Sequence, residues 1–308
     1  MNKKPKFMSS LDLSCKLLCA SASAYCIKPS SKNGQYNPCG DDNSQYNAIG
    51  FVKNPFVVTS LRIEAALVGK TDSELIVAFR GTLPPSPLTW DSLLDWIQDL
   101  MAKPTSDINL PGEIHSGFLF ALISLAEGIK KAIDNLDPTH SLPLYFTGHS
   151  KGGGMAPIAA MYFKNAYGLH ATQTITFAGP KPGDKEFCSV YNVEFPNDLR
   201  YENYLDVVPL LPPSPEFIRL LKELPLPESF EKFLSEAASW DYQTVGSLKY
   251  IDAKGDVAVI PTPMIIRVGD IIEKMATLDF SAIGDAHHAS CGYRYMKGTC
   301  QGNVCPSI

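Results

Sequence analysis

The serine in Gly148-His149-Ser150-Lys151-Gly152 is the side chain best placed for chemistry. An apolar run, Leu144 to Phe146, leads into it. A small-residue segment follows, carrying Met155, Ile158, Ala159, Ala160, Met161 and Phe163. That order reads as buried strand, tight turn and helix, the setting of a nucleophile elbow. Gly148 and Gly152 let the strand and helix backbones pass where a Cβ would clash. By itself the pattern is weak, since about one chain in ten this long carries it by chance. Its partners must decide.

Serine needs a base within hydrogen-bond reach, and the base needs an anion to fix its tautomer. In this type of fold they follow the serine in the order acid, then histidine, on loops at the carboxyl ends of later strands. Asp206 sits where the strand Leu199 to Leu205 runs out, whereas Asp184 lies in a turn and Asp198 precedes that strand. Of the six histidines, His115 and His149 precede or sit within the serine motif, and His140 and His170 fall in polar turns. Only His287 and His288 lie downstream of Asp206, and the residues alone leave both open as the base. An oxyanion in acyl transfer also needs donors. The Lys151 N–H supplies one, and Arg80-Gly81-Thr82, ending a buried strand, is the natural second source.

These residues need a sheet beneath them. Leu61 to Lys70, Leu75 to Phe79, Leu144 to Phe146, Thr172 to Phe177 and Leu199 to Leu205 read as strands. So do Leu248 to Ile251 and Met264 to Val268. The first helix carries Leu11, Ser14, Cys15, Leu18, Cys19, Ala22 and Tyr25 at helical spacing, and His115 to Leu136 forms a longer one. Alternating strands and helices imply a mainly parallel sheet covered on both faces. Thr89 to Met101 reads as an amphipathic helix, which alone suggests ordinary packing on the core. Pro157 falls within the helix after Ser150 and predicts a kink there. The proline-punctuated stretch 212–240 reads as two short helices, Glu216 to Glu223 and Glu228 to Ala238.

With 308 residues, 45% hydrophobic and 19% charged, the chain can build a large core, and one domain over 1–308 is expected. A net charge of −5 without a Lys/Arg cluster gives no reason to expect nucleic acid. No apolar run approaches the roughly 18 residues of a membrane helix. Asp12 and Lys16 interrupt what would be a signal core after Lys3, Lys4 and Lys6, which favours the cytoplasm. The eight cysteines keep secretion open. No Cys-x-x-Cys pair occurs, so neither a metal nor a cofactor is expected, and no protein partner is inferred.

Several ordered motifs resemble the class 3 (fungal-type) triacylglycerol lipases of the α/β-hydrolase fold. They are Ala24-Tyr25-Cys26, Ile76 to Thr82, Asp95-Trp96-Ile97-Gln98-Asp99-Leu100, His115-Ser116-Gly117-Phe118, Gly148 to Gly153, Thr176 to Pro180 and Asn203 to Pro209. The resemblance covers about Leu11 to Tyr295. It implies a mainly parallel sheet with helices on both faces and a helical lid, with Ser150 as nucleophile and Asp206 as orienting acid. A terminal histidine a few residues before a tyrosine would be the base, a spacing that His288 before Tyr293 fits better than His287. It also implies Thr82 as the oxyanion residue through its N–H and hydroxyl, supported by Asp99. The region 83–104 becomes the lid, with Trp90, Leu93, Leu94, Trp96 and Ile97 as covering side chains. The insertion 212–240 could form a second wall of an acyl pocket, and Lys151 beside the site could favour anionic lipid. The expected activity is hydrolysis of lipid esters at a lipid–water interface, triacylglycerol first. A phospholipase A1 or galactolipase on the same residues is one rival. A catalytically silent protein that binds acyl lipids is the other.

Overall fold

The computed structural model describes residues 11–29, 36–37, 44–60, 64–82, 89–290 and 293–300. Seven strands make the central sheet: β1 (Phe56–Thr59), β2 (Ala65–Lys70), β3 (Leu75–Phe79), β4 (Leu144–His149), β5 (Gln173–Phe177), β6 (Leu199–Asn203) and β7 (Ser247–Ile251). They lie in the spatial order β7-β6-β5-β4-β3-β2-β1. From β3 to β7 neighbours pair parallel, while β1 and β2 continue the sheet antiparallel at one edge. This is the expected α/β-hydrolase arrangement.

Around the sheet lie α1 (Leu13–Ser23), α2 (Ser44–Ile49), α3 (Trp90–Asp99), α4 (Ser116–Leu136), α5 (Lys151–Tyr167), α6 (Lys185–Glu194), α7 (Pro215–Leu221), α8 (Glu228–Ala237), α9 (Met264–Ala276), α10 (Phe280–His287) and α11 (Arg294–Thr299). Strand alternation explains why β3 is apolar throughout. Val77 and Phe79 face one way, into a core with Phe118, Leu122 and Ile158 of α4 and α5. Ile76 and Ala78 face the other, into a core with Leu17 and Leu18 of α1. A strand buried on both faces has no place for a polar residue.

A third cluster lies at the carboxyl ends of the strands. It joins Leu93, Leu94, Trp96 and Ile97 of α3 to Leu205–Leu211 and to apolar residues of α7, α8, α9 and α10. Helix α3 and the 212–240 insertion therefore share one cap. The bond Cys15–Cys300 ties the first helix to the last, and Cys19 and Cys26 are disulfide-bonded too.

Several elements differ from the sequence reading, among them helices α2, α10 and α11, which it did not contain. Met264 to Val268, read as a strand, opens α9 instead. Its Ile265 and Ile266 are exposed, while Val268, Ile271 and Met275, at helical spacing, are buried. Strand β1 was not expected; it pairs with β2 at the sheet edge. α5 carries Pro157 inside it and continues as one helix to Tyr167.

Candidate active site

Ser150 stands between β4 and α5 with φ 59° and ψ −132°, a strained positive-φ conformation of a kind that costs a non-glycine residue about 1–3 kcal/mol. Close packing holds it there. A Cβ on Gly148 would strike the Gly152 backbone, and one on Gly152 would strike the Phe79 carbonyl. The Ser150 N–H donates to the Phe177 carbonyl at 3.0 Å, and its own carbonyl accepts from Gly153 at 2.7 Å.

Asp206 follows β6 after a reversal in which Leu205 takes φ 65° and the Asp206 N–H returns to the Asn203 carbonyl at 3.1 Å. Its carboxylate is fully buried. Donors converge on it: the Tyr295 hydroxyl at 2.6 Å, the Val208 N–H at 3.0 Å and His287 Nδ1 at 2.9 and 3.1 Å. With Nδ1 donating, the neutral ring keeps its acceptor at Nε2. That nitrogen is buried without a hydrogen-bond partner, and so is the Ser150 hydroxyl. Burying an unpaired polar atom costs about 1–3 kcal/mol. Two such atoms in one site read as a place kept for a reacting group.

The histidine that meets Asp206 is thus His287 and not the expected His288. His288 is exposed, accepts from the Ser290 N–H at 3.1 Å, and stacks on Tyr293 with ring centroids 4.1 Å apart. The tyrosine that reaches the acid is Tyr295, not Tyr293. The signal for Tyr295, a tyrosine downstream of the histidines, is one that Tyr293 carries equally well, and spacing alone favours the wrong pair.

Lys151 is the first residue of α5, so its N–H has no intrahelical acceptor and is available to an oxyanion. The Gly81-Thr82 turn passes beside the elbow, since a Cβ on Gly81 would come 2.6 Å from the His149 carbonyl. Thr82 follows directly on Gly81 in this turn. The support expected from Asp99 is not seen in this state. Asp99 is exposed at the end of α3, and among the described residues no hydrogen bond joins it to Thr82. The Lys151 ammonium is not free for an anionic lipid either. Glu64 holds it at 2.8 and 2.9 Å.

The lid expectation falls partly on 83–88 and on the side chain of Trp90, which lie outside the described residues. The remaining covering residues, Leu93, Leu94, Trp96 and Ile97, are buried. The Trp96 ring meets His287 edge-on with centroids 4.9 Å apart. Ser150 is fully buried and His287 is 2% exposed, so the site is closed in this state.

Tyr25 and His149 also belong to the surroundings, and sequence reasoning gave neither a role. Tyr25 belongs to the Ala24-Tyr25-Cys26 motif, which was its only signal. Burial pushes its phenol well above the usual range, partly offset by the Ser150 hydroxyl nearby. That hydroxyl is close enough to act on Tyr25 without forming a hydrogen bond of normal geometry. Burial and the neighbouring His287 hold His149 well below the ordinary imidazole range.

The sulfurs of Cys15, Cys19 and Cys300 lie within 4.8 Å of one another. All three are disulfide-bonded, so they offer no thiolates to a metal.

Residues 76–216 match the family model described as lipase (class 3). The chain is 25% identical over 248 residues to Lipase A of Sodiomyces alcalophilus, covering 68% of this chain and 55% of that protein. It is 28% identical over 147 residues to secreted mono- and diacylglycerol lipase 1 of Fusarium solani, covering 46% of this chain and 40% of that one. The chain thus spans about half the length of the curated relatives it matches. Among solved structures, lipase II from Rhizopus niveus superposes with a TM-score of 0.60 at 18% identity, covering 93% of this chain and 95% of that chain. At that identity the likeness is one of fold.

Proposed function

Because residues 76–216 match the class 3 lipase family model, we propose that the chain belongs to that family and hydrolyses carboxylic esters of neutral glycerolipids through an acyl-serine intermediate. One observation carries the reading. Ser150 and His287 present unpartnered polar atoms in a buried site, with Asp206 behind the histidine and an apolar helix over it. In the proposed cycle His287 Nε2 takes the Ser150 proton as the oxygen attacks the ester carbonyl. Asp206 holds the resulting imidazolium, and the Lys151 and Thr82 N–H groups receive the oxyanion. His287 then protonates the leaving alcohol, and a water repeats the sequence to release the fatty acid. A silent lipid-binding protein would have no use for this set of groups. The pairing of Lys151 with Glu64 favours a neutral ester over one bearing a phosphate.

Ser150→Ala is expected to abolish hydrolysis of a soluble short-chain ester while leaving the melting temperature intact. Full residual turnover would refute the nucleophile. A panel of triacylglycerol, monoacylglycerol, phosphatidylcholine and galactolipid reads the substrate class, and preference for either polar lipid would overturn the neutral-ester reading. We also place the protein in an oxidising compartment, because Cys15, Cys19, Cys26 and Cys300 are all held in disulfides. Among the described residues no helix is long and apolar enough to cross a membrane.

A further inference from the structure

We propose that Tyr25 and His149 form a positioning pair that sets where the base His287 stands relative to Ser150. The inference rests on the serine-hydrolase reading above. α10 ends at His287, and the last carbonyls of a helix have no intrahelical donor. Two side chains from the sheet supply them. Asn203 Nδ2 donates to the Ala286 carbonyl at 2.7 Å, and His149 Nε2 lies 2.7 Å from the His287 carbonyl.

A carbonyl oxygen only accepts, so the His149 proton is on Nε2. Burial keeps that ring neutral, and Nδ1 is then an acceptor. The Tyr25 hydroxyl, 2.8 Å away, donates to it. This bond selects the tautomer. With the proton on Nδ1 instead, the Nε2 lone pair would face the His287 carbonyl and push it away. Asp206 therefore orients the base through its ring, while His149 fixes it through its backbone. His149 is the residue before Ser150, so nucleophile and base are tied to adjacent positions of one strand end. The Ala24-Tyr25-Cys26 motif thereby acquires a role, since it supplies the hydroxyl that locks the tie.

The test uses the full chain, a soluble p-nitrophenyl ester, a fluorophosphonate that labels active serines, and melting temperatures. Tyr25→Phe and His149→Phe are expected to lower kcat and the labelling rate by roughly 10–100-fold with KM little changed, as misplacement of a reacting group does. His149→Gln can offer an amide N–H to the carbonyl and an oxygen to Tyr25, and is expected to recover most of the loss. Wild-type labelling and kcat in Tyr25→Phe and His149→Phe would overturn the proposal. So would a His149→Gln variant as slow as His149→Phe, which would make the ring a packing element only. A wild-type chain inert to the fluorophosphonate would overturn the hydrolase reading and this inference with it.

Discussion

His287 closes the last turn of α10, while His288 caps it with extended backbone, ψ 136°. Neighbours across such a boundary point apart, and only His287 turns to the buried carboxylate. His287→Ala is expected to lower kcat by roughly 10²–10⁴-fold, the usual share of a general base. His288→Ala should stay within about threefold of wild type, as exposed positions generally do. Kinetics on one soluble ester compare the two, and a reversed ranking would return the role to His288. Ser150 and Asp206 were legible because local rules fix them: glycines at a strand–helix turn, and a carboxylate at the next available strand end. The base was legible only as a pair. Choosing between adjacent histidines needs the phase of α10, which spacing along the chain does not contain, and Tyr293 supplied a spacing that fitted the wrong one.

Among the elements, α3 lies over the site. Trp96 covers His287, and Leu93, Leu94 and Ile97 are buried in the cap with it. Exposing such side chains costs about 1.5–3 kcal/mol each, so lifting all four into water costs on the order of 6–12 kcal/mol. A helix held by that much burial is expected to stay shut in water and to open where another apolar phase receives it. Activity on a sparingly soluble ester is therefore expected to rise abruptly as droplets form. Replacing Leu93 and Ile97 by Ala should raise activity on the dissolved ester and flatten the jump. A smooth saturation curve in the wild type would exclude this gating. The amphipathic period of 89–101 made the helix legible, but not what it covers, because its partners in α7 to α10 come more than a hundred residues later. α9 was misread at the same level. Met264-Ile265-Ile266 is too short an apolar run to separate strand from helix, and the buried spacing Val268, Ile271, Met275 that decides it lies beyond. Its N-cap is Pro263, which makes no side-chain capping bond, so the usual start signal is missing.

Two long-range features govern the molecule as a whole, and neither pairing nor burial of this kind can be read along a chain. Cys15 and Cys300 are 285 residues apart, so their bond removes much of the unfolded chain's freedom. Such a crosslink contributes about 2–5 kcal/mol, and thiol reduction is expected to lower the melting temperature markedly; an unchanged midpoint would show it to be dispensable. Acid sensitivity follows from buried titratable groups. Burial lowers His115 to about 4, and His149 is held well below its usual range, so both refuse protons that the unfolded chain accepts below about pH 6.5. Asp198 acts in the opposite direction: burial raises it to about 6, so the folded chain takes one proton that the unfolded chain declines until about pH 4. Between pH 6 and 4.5 these three groups leave the unfolded state one net extra proton, and His288, also held low by burial and by His287, adds to it. Stability therefore falls as pH falls, by at least roughly 1.4 kcal/mol per unit. Carboxylates held low, such as Glu202 beside Arg267 and Arg200, add their loss only below that window. Denaturant midpoints at pH 6.0, 5.25 and 4.5 measure the slope. His115→Gln removes one of the refused protons, and its stability should fall less steeply across the window than that of the wild type. A wild-type protein equally stable at all three values would mean that the histidines are not the groups that acid attacks first.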